Sequence, residues 1–101
     1  MIYKLVVPGP IEDVEEVRVL EWHGTAGRRF APGDLLVELE THKAIVEIRA
    51  GQAGVLRQVL CEAGSWHAIG ATLAVLSDDP VEPLPTSPEE FRPWPIEFEI
   101  T

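Results

Sequence analysis

Residues 38–48 read Glu38-Leu39-Glu40-Thr41-His42-Lys43-Ala44-Ile45-Val46-Glu47-Ile48. Apolar and charged residues alternate through Leu39-Glu40 and again through Val46-Glu47-Ile48, the period of two of half-buried strands, and Thr41, Val46 and Ile48 suit a pleated surface. The stretch predicts a β-hairpin turning at His42-Lys43. That turn breaks a local rule, because two-residue hairpin loops favour Asn-Gly, Asp-Gly or glycine-first pairs that accept positive φ. Sites that break such rules are often functional. Taken alone, Lys43 is one more solvated surface lysine; its surroundings along the chain argue otherwise.

Moving outward, Gly24, Gly27 and Pro32-Gly33-Asp34 are so closely spaced that only turns and very short strands fit between them. Leu35 to Glu40 and Ala44 to Ile48 are the hairpin arms. Tyr3 to Val7 is an extended run ended by Pro8-Gly9-Pro10, residues 11–16 form an acidic loop, and Val17 to Trp22 alternates like a strand. A shift of 37 positions places Val19 on Leu56, Trp22 on Val59, Gly27 on Gly64, Gly33 on Gly70, Leu36 on Leu73 and Leu39 on Leu76. Glycines at matched turns imply matched backbone shapes. Two copies are too few for a solenoid. They predict two similar β-units facing each other across one core, with these eight apolar residues meeting in it.

The 101 residues allow one modest core, and the charge of −9 argues against nucleic acid or an anionic membrane as partner. No apolar run approaches a membrane span, and Met1–Val7 is too short for the core of a leader before Pro8 ends it. Cys61 is the only cysteine, so no internal disulfide framework exists, which fits a cytoplasmic protein. Lys4 and Lys43 are the only lysines. From residue 79 the composition changes: six of the nine prolines lie between Pro80 and Thr101, as in a linker or tail. Within it Ile96-Glu97-Phe98-Glu99-Ile100 alternates like a strand. The expected organisation is a domain over 1–78 and an acidic, proline-rich tail over 79–101, either a flexible tail or one that docks back through 95–101.

With these spacings in view, residues 2 to about 78 resemble the lipoyl domains of 2-oxo acid dehydrogenase acyltransferase components, within the biotinyl/lipoyl attachment family. The resemblance is carried by Pro8, Glu12, Trp22, Gly27, Gly33, Leu35-Leu36, Glu40-Thr41-His42-Lys43-Ala44, Ala53-Gly54-Val55 and Gly64, in register without a gap. Departures are Val7 for the usual methionine, Val17 for a glycine, Arg28 and Ser65 for acids after turn glycines, and His42 for the aspartate beside the lysine. The resemblance implies an all-β fold: a flattened barrel of two small antiparallel sheets with pseudo-twofold symmetry, a barrel-sandwich hybrid. It also implies that Lys43, flanked by Thr41, His42 and Ala44, carries a covalent lipoyl group.

Biotin acceptors in this family typically flank the lysine with methionines, whereas here the neighbours are His42 and Ala44, and Thr41 and Ala44 resemble the lipoyl pattern. The expected function is a stand-alone carrier shuttling acyl groups and reducing equivalents, with no catalytic residues, no metal site and no enzymatic activity of its own. Its expected partners are lipoylating enzymes and the dehydrogenase and acyltransferase components of a 2-oxo acid dehydrogenase-type complex. A biotinyl carrier and an unmodified binding module of the same fold remain open. His23, His42, His67 and Cys61 lack metal-ligand spacing, and no catalytic triad is legible.

Overall fold

The computed structural model describes residues 1–84 and 91–100, in which the alternating runs become ten strands. They are β1 (Ile2–Val6), β2 (Glu16–Trp22), β3 (Arg29–Phe30), β4 (Leu35–Glu40), β5 (Ile45–Ala50), β6 (Gly54–Val59), β7 (Trp66–Ala68), β8 (Thr72–Ser77), β9 (Arg92–Pro93) and β10 (Ile96–Ile100). Two five-stranded sheets result, ordered β3-β6-β8-β1-β9 and β10-β5-β4-β2-β7. Alternation dictates which faces meet: Val46, Ile48 and Ala50 of β5 point into the core while Glu47 and Arg49 take the other face. No helix is present among the described residues, and the fold is the all-β sandwich or flattened barrel expected above.

Backbone bonds repeat across the two halves. Gly27 N–H donates to Leu56 O and Gly64 N–H to Val19 O, both at 2.7 Å, with φ of 98° and 94°. Only glycine adopts such φ values cheaply, which is why these two turns conserve their residue type between the halves. The irregularities repeat as well. Leu36 is the extra residue of a bulge where β4 meets β5, and Leu73 is the extra residue where β8 meets β1. Leu20 in β2 and Arg57 in β6 form a second matched pair of bulges. A bulge lets consecutive residues turn inward, so Leu36 and Val37 are both buried where simple alternation would expose one of them.

Of the eight apolar residues expected to meet in the core, Val19, Leu36, Leu39, Leu56, Leu73 and Leu76 are buried. Trp22 and Val59 differ: each ends its strand and is only partly buried, packed against the margin of the core. For Trp22 the position suits an amphipathic ring, because its indole N–H donates to Cys61 O at 2.8 Å.

Two features break the symmetry. The link from β1 to β2 is nine residues long, 7–15, whereas the equivalent link from β5 to β6 has three, 51–53. The second feature is the segment 91–100. β9 pairs in parallel with β1, and β10 pairs antiparallel with β5, from Ile96 opposite Ala50 to Ile100 opposite Val46. Between them Trp94 is buried, its ring edge-on to Tyr3 at 5.0 Å, and its backbone N–H donates to Lys4 O at 2.7 Å. Within the tail drawn from the sequence over 79–101, residues 85–90 and Thr101 lie outside the described residues.

Candidate functional site

The hairpin between β4 and β5 turns through Thr41, His42, Lys43 and Ala44. Thr41 resolves the missing glycine. Its hydroxyl accepts the N–H of Lys43 at 3.1 Å and of Ala44 at 2.9 Å, and its own N–H donates to Ala44 O at 2.8 Å. A side-chain oxygen thus takes two backbone donors at the turn. Neither His42 nor Lys43 has positive φ, so the turn needs no left-handed residue. Thr41 itself is buried, and this leaves His42 and Lys43 projecting into solvent on a rigid base.

The long β1–β2 link folds beside the tip. Val14 N–H donates to Ile11 O at 3.0 Å, closing a turn in which Asp13 is the only described non-glycine residue with positive φ, at 61°. Aspartate tolerates that conformation better than most residues. The turn aims Asp13 at the lysine, and Lys43 Nζ lies 3.0 Å from Asp13 Oδ2. Both groups are more than half exposed, so the pair stabilises by about 1 kcal/mol or less. The contact orients the amine without sequestering it. On the other side, Asp13, Glu15, Glu16, His42 and the exposed Trp66 line a concave surface of about 700 Å³.

The structure also brings together groups that sequence spacing does not connect. His23 Nε2 sits 2.7 Å from Glu38 Oε1 and 4.0 Å from Glu21 Oε2, the two glutamates being cross-strand partners on β2 and β4. Like charges placed opposite each other repel, and the imidazole lies within hydrogen-bond reach of one of them, Glu38. A residue-by-residue alignment of β2 against β4 would have found this cluster, but the bulge at Leu20 hides the register. His67 Nε2 is 2.8 Å from Ser65 Oγ, whose hydroxyl is committed to Glu62 O across a turn and so serves as a turn bond. Burial pushes the Cys61 thiol above its ordinary range, and Sγ rests 3.3 Å from Thr72 O at a position packed in the core.

Two symmetric β-units, a hairpin closed by a threonine hydroxyl and one outward lysine amine define a small domain that displays a lysine instead of enclosing a substrate. The chain belongs to the family described as biotin-requiring enzyme, the biotin/lipoyl domain, whose model matches residues 3–76. It is 32% identical over 92 residues to the dihydrolipoyllysine-residue succinyltransferase component of the 2-oxoglutarate dehydrogenase complex of Bacillus subtilis (strain 168), a match covering 88% of this chain and 22% of that protein. It is 30% identical over 88 residues to the mitochondrial pyruvate dehydrogenase complex protein X component of Chaetomium thermophilum, covering 84% and 20%. A third relative, the dihydrolipoyllysine-residue acetyltransferase component of the pyruvate dehydrogenase complex of Rickettsia bellii, is 29% identical over 80 residues, covering 78% and 19%. The matches therefore span about a fifth of these relatives. The domain is similar to the lipoyl domains of dehydrogenase complex components.

Proposed function

We propose that the chain is a lipoyl carrier and that Lys43 Nζ is its attachment atom. The observation that carries this reading is the Thr41-braced turn, which holds one amine outward at the tip of a rigid hairpin. An activated lipoyl carboxyl supplied by a lipoylating enzyme would be attacked by the amine: the N–C bond forms, the bond to the leaving group breaks, and the nitrogen loses a proton. The residues present fit such a group, because the Lys43 side chain is more than half exposed at the tip of the hairpin. Lipoate held there supplies a strained cyclic disulfide that opens on reduction or acyl transfer.

This chain's residues do the presenting. Thr41 fixes the turn, Asp13 steadies the unmodified amine, and His42 and Ala44 flank it. A long arm on a fixed base raises the local concentration of its end at each active site within reach. In this reading the chain is a substrate of enzymes and performs no catalysis itself. Its partners are lipoylating enzymes and dehydrogenase and acyltransferase components like those of the complexes its relatives' names describe. Lipoate is preferred over biotin because neither residue beside Lys43 is methionine.

Intact mass after expression with lipoate and a lipoylating enzyme tests the proposal. One lipoyl group is expected, absent in Lys43→Arg, and the modified form should carry one positive charge fewer than the −9 chain on ion exchange. Lipoylation that persists in Lys43→Arg, or biotin in place of lipoate, would refute it.

A further inference from the structure

The two features that break the internal symmetry converge on Lys43. A groove of about 350 Å³ lies beside it, lined in part by Ile11 and Val14 from the β1–β2 link and by Ile100 from the end of β10. Ala44 and Thr41 of the hairpin, and Glu12 and Asp13 of the link, complete its lining. Lys43 is itself part of the wall. The volume falls within the roughly 300–1,000 Å³ of small-molecule pockets.

β10 explains why the groove has an uncovered apolar side. Ile96, Phe98 and Ile100 share one face of the strand. Ile96 packs against the core, but Phe98 is 42% and Ile100 51% exposed, so the strand leaves the core with its apolar face open as it approaches the hairpin tip. Ile11, Val14 and Ile100 of this lining therefore come from segments that the symmetric half of the molecule does not possess.

We infer that this groove is the resting place of the acyl arm carried by Lys43, an inference that rests on the attachment proposed above. Amide formation abolishes the charge that holds Nζ to Asp13, which frees the lysine stem to turn toward Ile11, Val14 and Ile100. A hydrocarbon chain laid there removes apolar surface from water on both partners. Because the arm is tethered in the wall of the groove, even weak intrinsic affinity populates the docked state. A partner active site then draws the arm from a defined position instead of from free solution.

The test places an octanoyl group on the Lys43 amine of the full chain by incorporating the acylated lysine during synthesis, so that it does not depend on any lipoylating enzyme. Nuclear Overhauser spectra should show cross-peaks from the octanoyl methylenes to the methyls of Ile11, Val14 and Ile100, and those methyls should shift relative to the unacylated protein. Ile100→Ser should abolish most of these cross-peaks. Val14→Ser does the same from the loop side and leaves β10 untouched, so the reading survives if the tail variant loses its strand. Octanoyl resonances as narrow as those of free octanoyl-lysine, without cross-peaks, overturn the inference, as do cross-peaks that persist in both variants. Failure of enzymatic lipoylation by mass, in contrast, would count against the proposed function alone.

Discussion

The indole of Trp94 occupies the space that a side chain at residue 54 would need: a Cβ on Gly54 would overlap its Cη2 atom. Gly54 is thus required by the chain end that lies over it, not by its own backbone angle. Gly51 serves the same purpose at the start of the same link, donating to Pro95 O at 2.8 Å, with a Cβ there only 2.7 Å from that oxygen.

Gly54→Ala should therefore dislodge Trp94 and with it the strands on either side. Overpacking of this kind costs about 1–3 kcal/mol. Trp94→Ala should cost more, about 3–5 kcal/mol. Trp94→Phe should be milder, because the buried indole N–H has no hydrogen-bond partner among the described residues and its removal forfeits none. Urea denaturation of the three variants checks the order; a Phe variant as unstable as the Ala variant would contradict it.

Leu36 and Leu73 fill matched bulges on opposite sides of the core and are almost fully buried. Each truncated to alanine should lose about 2–5 kcal/mol. Their losses should agree closely with each other because their surroundings repeat. A large difference between the two denaturation midpoints would show that the halves are unequal in packing.

Thr41→Val keeps the volume but removes the oxygen that accepts two backbone N–H groups. Leaving such donors unpaired costs about 1–3 kcal/mol each when they are buried, and less here because the tip can take up water. Amide exchange at Lys43 and Ala44 should accelerate strongly in Thr41→Val and little in Thr41→Ser. Enzymatic acylation should slow in parallel with that exchange.

The amine of Met1 lies 2.6 Å from carboxylate oxygens of both Asp78 and Glu82. The hydrogen bond to Asp78, then that to Glu82, raises the amine from 8.0 to about 10, and the same contact lowers Asp78 below its ordinary 3.8. A raised folded-state value means that the clasp stabilises fully below pH 8 and fades as pH climbs through about 10. The depressed carboxyl has the opposite sense, its contribution being lost as pH falls below 3.8. The carboxyl carbon shift of Asp78 followed along this range by NMR should change at both ends, and acetylation of the Met1 amine should remove the alkaline change.

His42 stands where resembling domains carry an acid, beside a surface already holding Asp13, Glu15 and Glu16. His42→Asp should leave attachment at Lys43 nearly unchanged while altering the rate with dehydrogenase partners, by an amount set by an exposed contact of about 1 kcal/mol or less. Equal rates for both proteins at low salt would exclude a role in partner choice.

The hairpin, the matched glycines and the six buried core residues were legible because strand alternation and positive-φ turns leave marks in a single sequence. The bulges at Leu20, Leu36, Arg57 and Leu73 leave no mark, since an extra residue in a strand is compositionally ordinary; this is why Trp22 and Val59 read as core residues. Thr41 was legible as a neighbour of Lys43, but its use of a hydroxyl in place of a glycine was not. The Asp13–Lys43 pair joins residues 30 positions apart through a loop with no periodicity. Alternation at 96–100 marks a strand, yet nothing in it says which edge it takes.

Each sheet ends in strands that offer a stranger little to bind. β3 and β7 have two and three residues, β9 has two, of which one is Pro93, with Pro95 just beyond it, and β10 carries Glu97 and Glu99 along its length. Short edges, prolines and repeated negative charge are the features that discourage strand addition from another chain. Many copies of the domain could therefore be crowded together, at the densities found inside a large multi-subunit assembly, without their sheets fusing into an aggregate.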